Sequence, residues 1–346
     1  MKFQLVINME RKSADESMQK IIAETLELVQ MAEAGGFHIV WAAEHHTLEF
    51  TIAPNPFQIL VWFGAHTSRI RLGTATVVAP YWSPIRAAGE AALADLYTNG
   101  RLEFGIGSGA YQYEFDRMAP GVDQKQGYKY AQELLPAVKA LWQGDYAHDG
   151  EIWQFPKATS VPKPQQKPHP PIWVAARAPI TFDFAIKNGC NIQSWALTRP
   201  FSEVETYKAR FEQALLDNPG CDRPVFSTMR HCAVYEHDKL ADQYLDYTME
   251  RLAKFENLFR NVGGVSNGFP AHVDVQAFED RQDFDRSALL ENLMFGTPEI
   301  VVEKLKKYQS LGVDQFIYNA SYGLPFELQK SSLELFIEKV MPEFSE

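Results

Sequence analysis

The sequence is poor in cysteine. Cys190, Cys221 and Cys232 form no C-x-x-C pair and no even set, so neither a disulfide framework nor a paired-thiolate metal site is expected. A reducing, cytoplasmic setting is the plain expectation. Long hydrophobic runs are also missing. None approaches the ~20 residues that span a bilayer, and the opening MKFQLVINMER is too short for the apolar stretch of a secretory leader. Basic residues are the scarcer charge: 33 Lys and Arg against 44 Asp and Glu leave a formal net charge of -11. Like charges repel, so non-specific binding to nucleic acid or anionic lipid is not expected, and an anionic ligand needs locally placed donors. No internal repeat and no low-complexity tract interrupts the chain.

What is present is a soluble-protein composition, 46% hydrophobic and 22% charged over 346 residues, arranged as short β-rich runs followed by helical patterns. FQLVI (Phe3 to Ile7) precedes apolar positions Ile21, Ile22, Leu26, Val29 and Ala32 at helical spacing, and Gly35-Gly36 reads as the C-cap. FHIVWA, IRLGTATVV and RLEFGIG follow, separated by helices predicted over about Pro56 to His66 and Pro84 to Tyr97. PIWVAA from Pro171, NIQSWA from Asn191, VFSTMRHCAVY from Val225 and QFIYNA from Gln315 bring the strand count to eight. Strands alternating with helices favour right-handed parallel units, and eight such units favour a closed (β/α)8 TIM barrel, an α/β fold. One domain over residues 1–346 is expected, with insertions at about 144–171 and 261–290. The first reads as a hairpin and a proline-rich extended segment. Neither insertion carries enough apolar surface for a core of its own, and each reads equally as a lid or as surface elaboration.

In such a barrel the chemistry sits at the C-terminal ends of the strands. Glu44, His45 and His46 follow the second run, Thr74-Ala75-Thr76 closes the third, and GIGSG from Gly105 closes the fourth. Ala176-Arg177, Ser194-Trp195 and Asn319 to Tyr322 follow later runs. Adjacent side chains on an extended segment diverge, so His45 and His46 do not easily share one ion, and no H-x-x-x-H completes a shell. No metal is expected. A proton-transfer role suits imidazole near neutral pH, but loop-carbonyl partners account equally well for the pair. The glycines of GIGSG suit a tight turn or a close backbone approach to a ring or phosphate. Arg177 suits a phosphate or a surface ion pair.

The stretches WAAEHHTLEF, NPFQILVWFGAHTSRIRLGTATVVAP and SPIRAAGEAALADLYTNGRLEFGIGSG, with the closing GTPEIVVEKLKKYQSLGVDQFIYNAS, resemble the bacterial luciferase-like flavin monooxygenases over nearly the whole chain. The resemblance implies a (β/α)8 barrel that takes reduced FMN (FMNH2) from a separate flavin reductase. Oxygen is then activated as a flavin C4a-peroxide to oxidise a small organic substrate. It implies His45 as the catalytic histidine with Glu44 as its flanking acid. Ala75-Thr76 falls where the family holds a non-prolyl cis peptide against the flavin, Trp195 beside the ring, and Ala176-Arg177 near the ribityl-phosphate arm. A homodimer through the early helices is the family default. Aromatics such as Phe50, Tyr81, Trp82, Tyr111 and Tyr113, with the segment VWFGAH, are candidates to line an apolar, water-excluding pocket.

One departure stands out. Where luciferase carries Cys-Arg to grip the phosphate, this chain has Gly107 and Ser108. Aldehyde-dependent light emission is therefore not carried over, and Arg177 is expected to take the phosphate. Two other readings compete, a deazaflavin-dependent oxidoreductase on the same barrel and a non-catalytic flavin-binding subunit; retention of His45 speaks against the second. If Arg177 holds the phosphate, Arg177→Ala weakens FMN binding by more than tenfold in a flavin titration, and unchanged affinity refutes the assignment.

Overall fold

The computed structural model describes residues 1–278 and 284–344. Its eight barrel strands are β1 (Lys2–Val6), β2 (Ile39–Ala42), β3 (Arg71–Thr74), β4 (Leu102–Gly107), β5 (Ile172–Ala175), β6 (Asn191–Trp195), β7 (Phe226–Val234) and β8 (Gln315–Asn319). Every neighbouring pair is parallel, from Leu5↔Val40 through Phe104↔Ile172 to Ser227↔Gln315, and β8 returns to β1 with Gln315↔Lys2. The sheet is closed, and all eight strands are those expected from the sequence. Closure leaves no unpaired edge and sends alternate side chains inward and outward.

The helices are α1 (Met18–Ala34), α2 (Pro56–Ala65), α3 (Pro84–Tyr97), the short α4 (Gln112–Met118), α5 (Gly127–Gln143), α6 (Pro179–Lys187), α7 (Phe201–Asp217), α8 (Ala241–Arg260), α9 (Arg286–Asn292), α10 (Pro298–Ser310) and α11 (Phe326–Leu335). Local chemistry sets several starts. Asn55 and Ser83 cap α2 and α3 by accepting from backbone N–H groups of the first turn, each just before a proline that needs no such acceptor. Gly36 takes φ +87° after α1, as the paired glycines suggested. Apolar faces such as Leu28 and Val29 of α1, Leu60 of α2 and Leu134 and Val138 of α5 bury against outward residues of the sheet.

The barrel interior is a smaller, partly polar core. Val6, Ile39, Trp41, Trp173 and Ile317 pack together there. The Trp41 indole N–H donates to Gln4 at 2.7 Å, and the Trp173 indole N–H donates to Glu103 at 2.5 Å. Burial pushes the Glu103 carboxyl upward, while its ion pair with Arg71 and the indole bond oppose that shift. Gly73 and Gly105 have no alternative on this face: a Cβ on the first would enter the Trp41 ring, and on the second the Thr74 carbonyl.

Both insertions contain local structure. The first holds an antiparallel hairpin, Tyr146–Asp149 with Gln154–Ala158, as expected. The second region holds a two-residue hairpin, Val265–Ser266 with Phe269–Pro270, and α9; its residues 279–283 lie outside the described residues. Two features were not expected. A short strand, Met294–Gly296, extends the sheet beside the upper half of β7, and α8 forms a 20-residue helix between β7 and that strand. The run IRLGTATVV is not one strand; it breaks at the Ala75-Thr76 peptide into Arg71–Thr74 and Val77–Val78.

Candidate active site

The C-terminal strand ends open into a cavity of about 480 Å³, lined by residues on or just after all eight strands and by α8. That size lies within the roughly 300–1,000 Å³ of ligand pockets generally. All nine residues singled out from the sequence reach it: Glu44, His45, Ala75, Thr76, Gly107, Ser108, Ala176, Arg177 and Trp195. The Ala75-Thr76 peptide is cis. Gly107 lies so close to the Thr76 side chain that any Cβ there would collide with it, so the third and fourth strand ends pack tightly together at the base of the cavity.

The acid–imidazole pairing differs from the expected one. Glu44 stands behind His46: its carboxylate accepts the His46 Nε2 proton at 2.8 Å, the Val78 N–H at 2.7 Å and the Trp82 indole N–H at 2.9 Å. The acid on His45 is Glu114, the third residue of α4, with Nδ1 to Oε2 at 3.1 Å; its other oxygen accepts the His46 N–H at 2.6 Å. The divergence of adjacent side chains explains the split, since His45 and His46 face different acids across one loop. A carboxylate on Nδ1 holds the proton there and leaves Nε2 with its lone pair. That Nε2 makes no hydrogen bond among the described residues, and the ring is stacked on Tyr111 with centroids 5.3 Å apart and edge-on to Phe50 at 5.6 Å.

Phe50 and Tyr111 line the cavity as expected. Tyr81, Trp82 and Tyr113 are not part of its wall. Tyr81 packs on His46 and Phe115, and Trp82 is buried against Phe57 while its indole serves Glu44. The VWFGAH segment lies on α2 outside the barrel, with Trp62 exposed.

Several buried polar atoms of the lining have no partner among the described residues: Gln193 Nε2, Trp195 Nε1, both ring nitrogens of His231, Arg251 Nη1 and Asn319 Oδ1. A buried polar atom left unsatisfied costs about 1–3 kcal/mol. Six such atoms around one cavity mark where a polar ligand completes the protein. Gln193 Nε2 and Trp195 Nε1 suit the carbonyl edge of a planar heterocycle; together with Gly107 and the aromatic walls, these residues fit a flavin, while Arg251 Nη1 and His231 are left for a second ligand. Arg177 is exposed at the rim; only its backbone carbonyl is engaged, by Arg210, and its guanidinium forms no ion pair among the described residues. Among the described residues no cluster of three His, Cys, Asp or Glu is placed to hold a metal.

Glu114, Gln193, His231 and Arg251 were not singled out from the sequence. A usable signal existed for two of them. The inward alternation of β7 that turns Met229 into the barrel also turns His231 inward. Leu245, Leu252, Phe255 and Leu258, buried on α8, give the helical period that would have placed Arg251 on its inner face.

Fold and cavity together define a parallel (β/α)8 barrel with its candidate site at the C-terminal ends of the strands. The chain belongs to the luciferase-like monooxygenases, an oxidoreductase family whose model matches residues 1–315. It is 40% identical over 346 residues, all of this chain and 96% of the other, to the oxygenase component of the flavin-dependent trigonelline monooxygenase of Acinetobacter baylyi. Among solved structures, the monooxygenase RslO1 from Streptomyces bottropensis superposes over 100% of both chains with a TM-score of 0.83 and 24% identity. The oxygenating constituent of 3,6-diketocamphane monooxygenase from Pseudomonas putida, in complex with FMN, covers 99% of this chain and 98% of its own, with a TM-score of 0.79 and 16% identity.

Burial, with Arg251 and Arg230 nearby, pushes the His231 pKa from 6.5 down to about 3. The unfolded chain therefore takes up this proton first as pH falls, and stability contributed by the neutral ring is lost from about pH 6.5 towards pH 3. One proton corresponds to a slope of about 1.4 kcal/mol per pH unit. In urea denaturation of the ligand-free protein, His231→Gln should flatten the acid loss of stability by that slope. An unchanged pH profile would show that His231 is not the group responsible.

Proposed function

We propose that this protein is the oxygenase of a two-component, FMNH2-dependent monooxygenase acting on a small organic substrate, with a separate flavin reductase as its partner. The observation that carries this reading is the free Nε2 of His45, oriented by Glu114 and facing the same cavity as the unpartnered donors and the Ala75-Thr76 peptide. The relationship to a protein named as the oxygenase component of a flavin-dependent monooxygenase supports it.

Reduced flavin, when bound, supplies the electrons that activate oxygen. The chain's own work is positional. Ala75, Thr76, Gly107, Ser108 and Trp195 would hold the flavin ring, and Ala176 and Arg177 would hold its phosphate arm. Phe50, Tyr111 and Phe255 make one wall apolar and keep bulk water from the reacting atoms. His45 takes or returns a proton at Nε2 while Nδ1–H stays on Glu114, which stabilises the imidazolium that forms. Glu44 acts at one remove: it fixes His46, Val78 and Trp82, and so the loop that carries His45.

Trigonelline, named for the relative, is the first substrate to assay, with FMNH2 generated by an added reductase under air and reduced deazaflavin as the parallel arm. His45→Ala should keep FMN affinity within about twofold while the oxygen consumed appears as hydrogen peroxide instead of product. Full product yield without extra peroxide would remove His45 from the chemistry. We also propose a homodimer built on α2 and α3, where Trp62, Leu93, Leu96 and Tyr97 expose large apolar groups. Sedimentation equilibrium should give about twice the chain mass, and a monomer at micromolar concentration would refute it.

A further inference from the structure

We propose that Arg251 anchors a carboxylate of the substrate, so that the enzyme acts on small planar aromatic carboxylates. This rests on the monooxygenase reading above. The Arg251 side chain on α8 is only 10% exposed, and its guanidinium is held from three directions. Nε donates to Glu10 Oε1 at 2.9 Å, Nη2 reaches the Phe50 carbonyl at 3.4 Å, and the plane lies on the Phe50 ring with its carbon 3.0 Å from the centroid. Glu10 is itself fixed, because its second oxygen accepts the Gly323 N–H at 2.6 Å. Nη1 is left buried without a partner among the described residues. A fork immobilised in this way keeps its remaining N–H in place before any ligand arrives, which lowers the entropy cost of binding.

Two features make the partner a carboxylate. Glu10 balances most of the Arg251 charge, which suits a monoanion better than a phosphate. His231, whose ring nitrogens are both unpartnered, adds a second donor on the same side of the cavity. Two further features make it belong to the substrate and not to the cofactor. Glu10 follows β1 and Arg177 follows β5, four strands apart in the ring of eight, so Arg251 sits across the C-terminal rim from the arginine assigned to the cofactor phosphate. Phe50 also bridges Arg251 to His45, which meets its edge at 5.6 Å. An anion held at Nη1 therefore places the attached ring beside the proton-transfer group. The ring would pack against the aromatic cluster of Phe50, Tyr111 and Phe255, whose centroids are 5.9 to 6.1 Å apart.

The test compares matched ligands by equilibrium titration of the protein with and without FMN: trigonelline with 1-methylnicotinamide, and nicotinate with nicotinamide. Each carboxylate should bind the wild type at least tenfold more tightly than its amide. Arg251→Met should abolish that preference while the FMN dissociation constant stays within about twofold. Should the Met variant fail to fold beside Glu10, Arg251→Lys keeps the charge but loses the fork, and should cut the preference at least threefold. Equal binding of acid and amide by the wild type overturns the proposal, as does an Arg251 variant that loses FMN and keeps its carboxylate preference. A protein that shows the carboxylate preference but binds no FMN would sustain the anchor and reject the flavin reading, so the two fail separately.

Discussion

The site depends on one buried carboxylate. Glu44 is almost wholly enclosed, and every favourable direction around it is taken: the Val78 N–H, the Trp82 indole and His46 Nε2. An ionised carboxylate at that depth is tolerable only because charge-assisted hydrogen bonds replace its water. Those bonds tie the end of β2 to the segment just past the Ala75-Thr76 peptide and to the start of α3. The loop between β2 and α2 is thereby fixed at its base, and His45, one residue on, is turned to Glu114 and the cavity. Removing the carboxylate, as in Glu44→Ala, would leave the Val78 N–H, the Trp82 indole and His46 Nε2 without their acceptor, so its structural influence reaches well beyond its own contacts.

Polarity inside the molecule is otherwise graded along the barrel axis. Near the N-terminal ends, Gln4, Trp41, Trp173, Glu103 and Arg71 satisfy one another completely enough to make a polar plug. Towards the C-terminal ends the accounting stops closing, and Gln193, Trp195, His231, Arg251 and Asn319 each keep an unmatched atom. The change along the strands distinguishes the part of the interior that holds the fold together from the part that waits for a ligand. It also explains why His231 stays neutral: the apolar and cationic surroundings that deny it a proton leave it as a hydrogen-bonding group whose state does not vary near neutral pH.

Much of the fold was legible in the sequence because it rests on local periodicity. Eight strand runs, the Asn55-Pro56 and Ser83-Pro84 helix starts and the Gly35-Gly36 stop all follow from pattern and capping. The residues at the strand ends were legible as well, since barrel topology brings them together whatever their partners. The partnerships were not. Glu114 lies 69 residues from His45, and nothing local distinguishes it from an exposed helical acid. Adjacency in sequence pointed to Glu44 instead, and the divergence of neighbouring side chains defeats that inference. α8 was obscured because it sits in the irregular region after β7, where the strand–helix rhythm lapses, and with it went Arg251. Tyr81, Trp82 and Tyr113 show the converse: aromatic character alone does not say whether a ring faces a cavity or the core.

The location of α8 bears on how this enzyme changes over evolutionary time. The histidine, its acid and the Ala75-Thr76 peptide are set by β2, β3, β4 and the loops between them, whereas Arg251, Leu252 and Phe255 enter the cavity from one face of a helix inserted after β7. Substitutions on that face alter what the cavity accepts without disturbing the strand register that aligns the reacting groups. The strand register and the lining of the cavity can therefore vary independently, the first fixed by the barrel and the second open to change at a few helix positions.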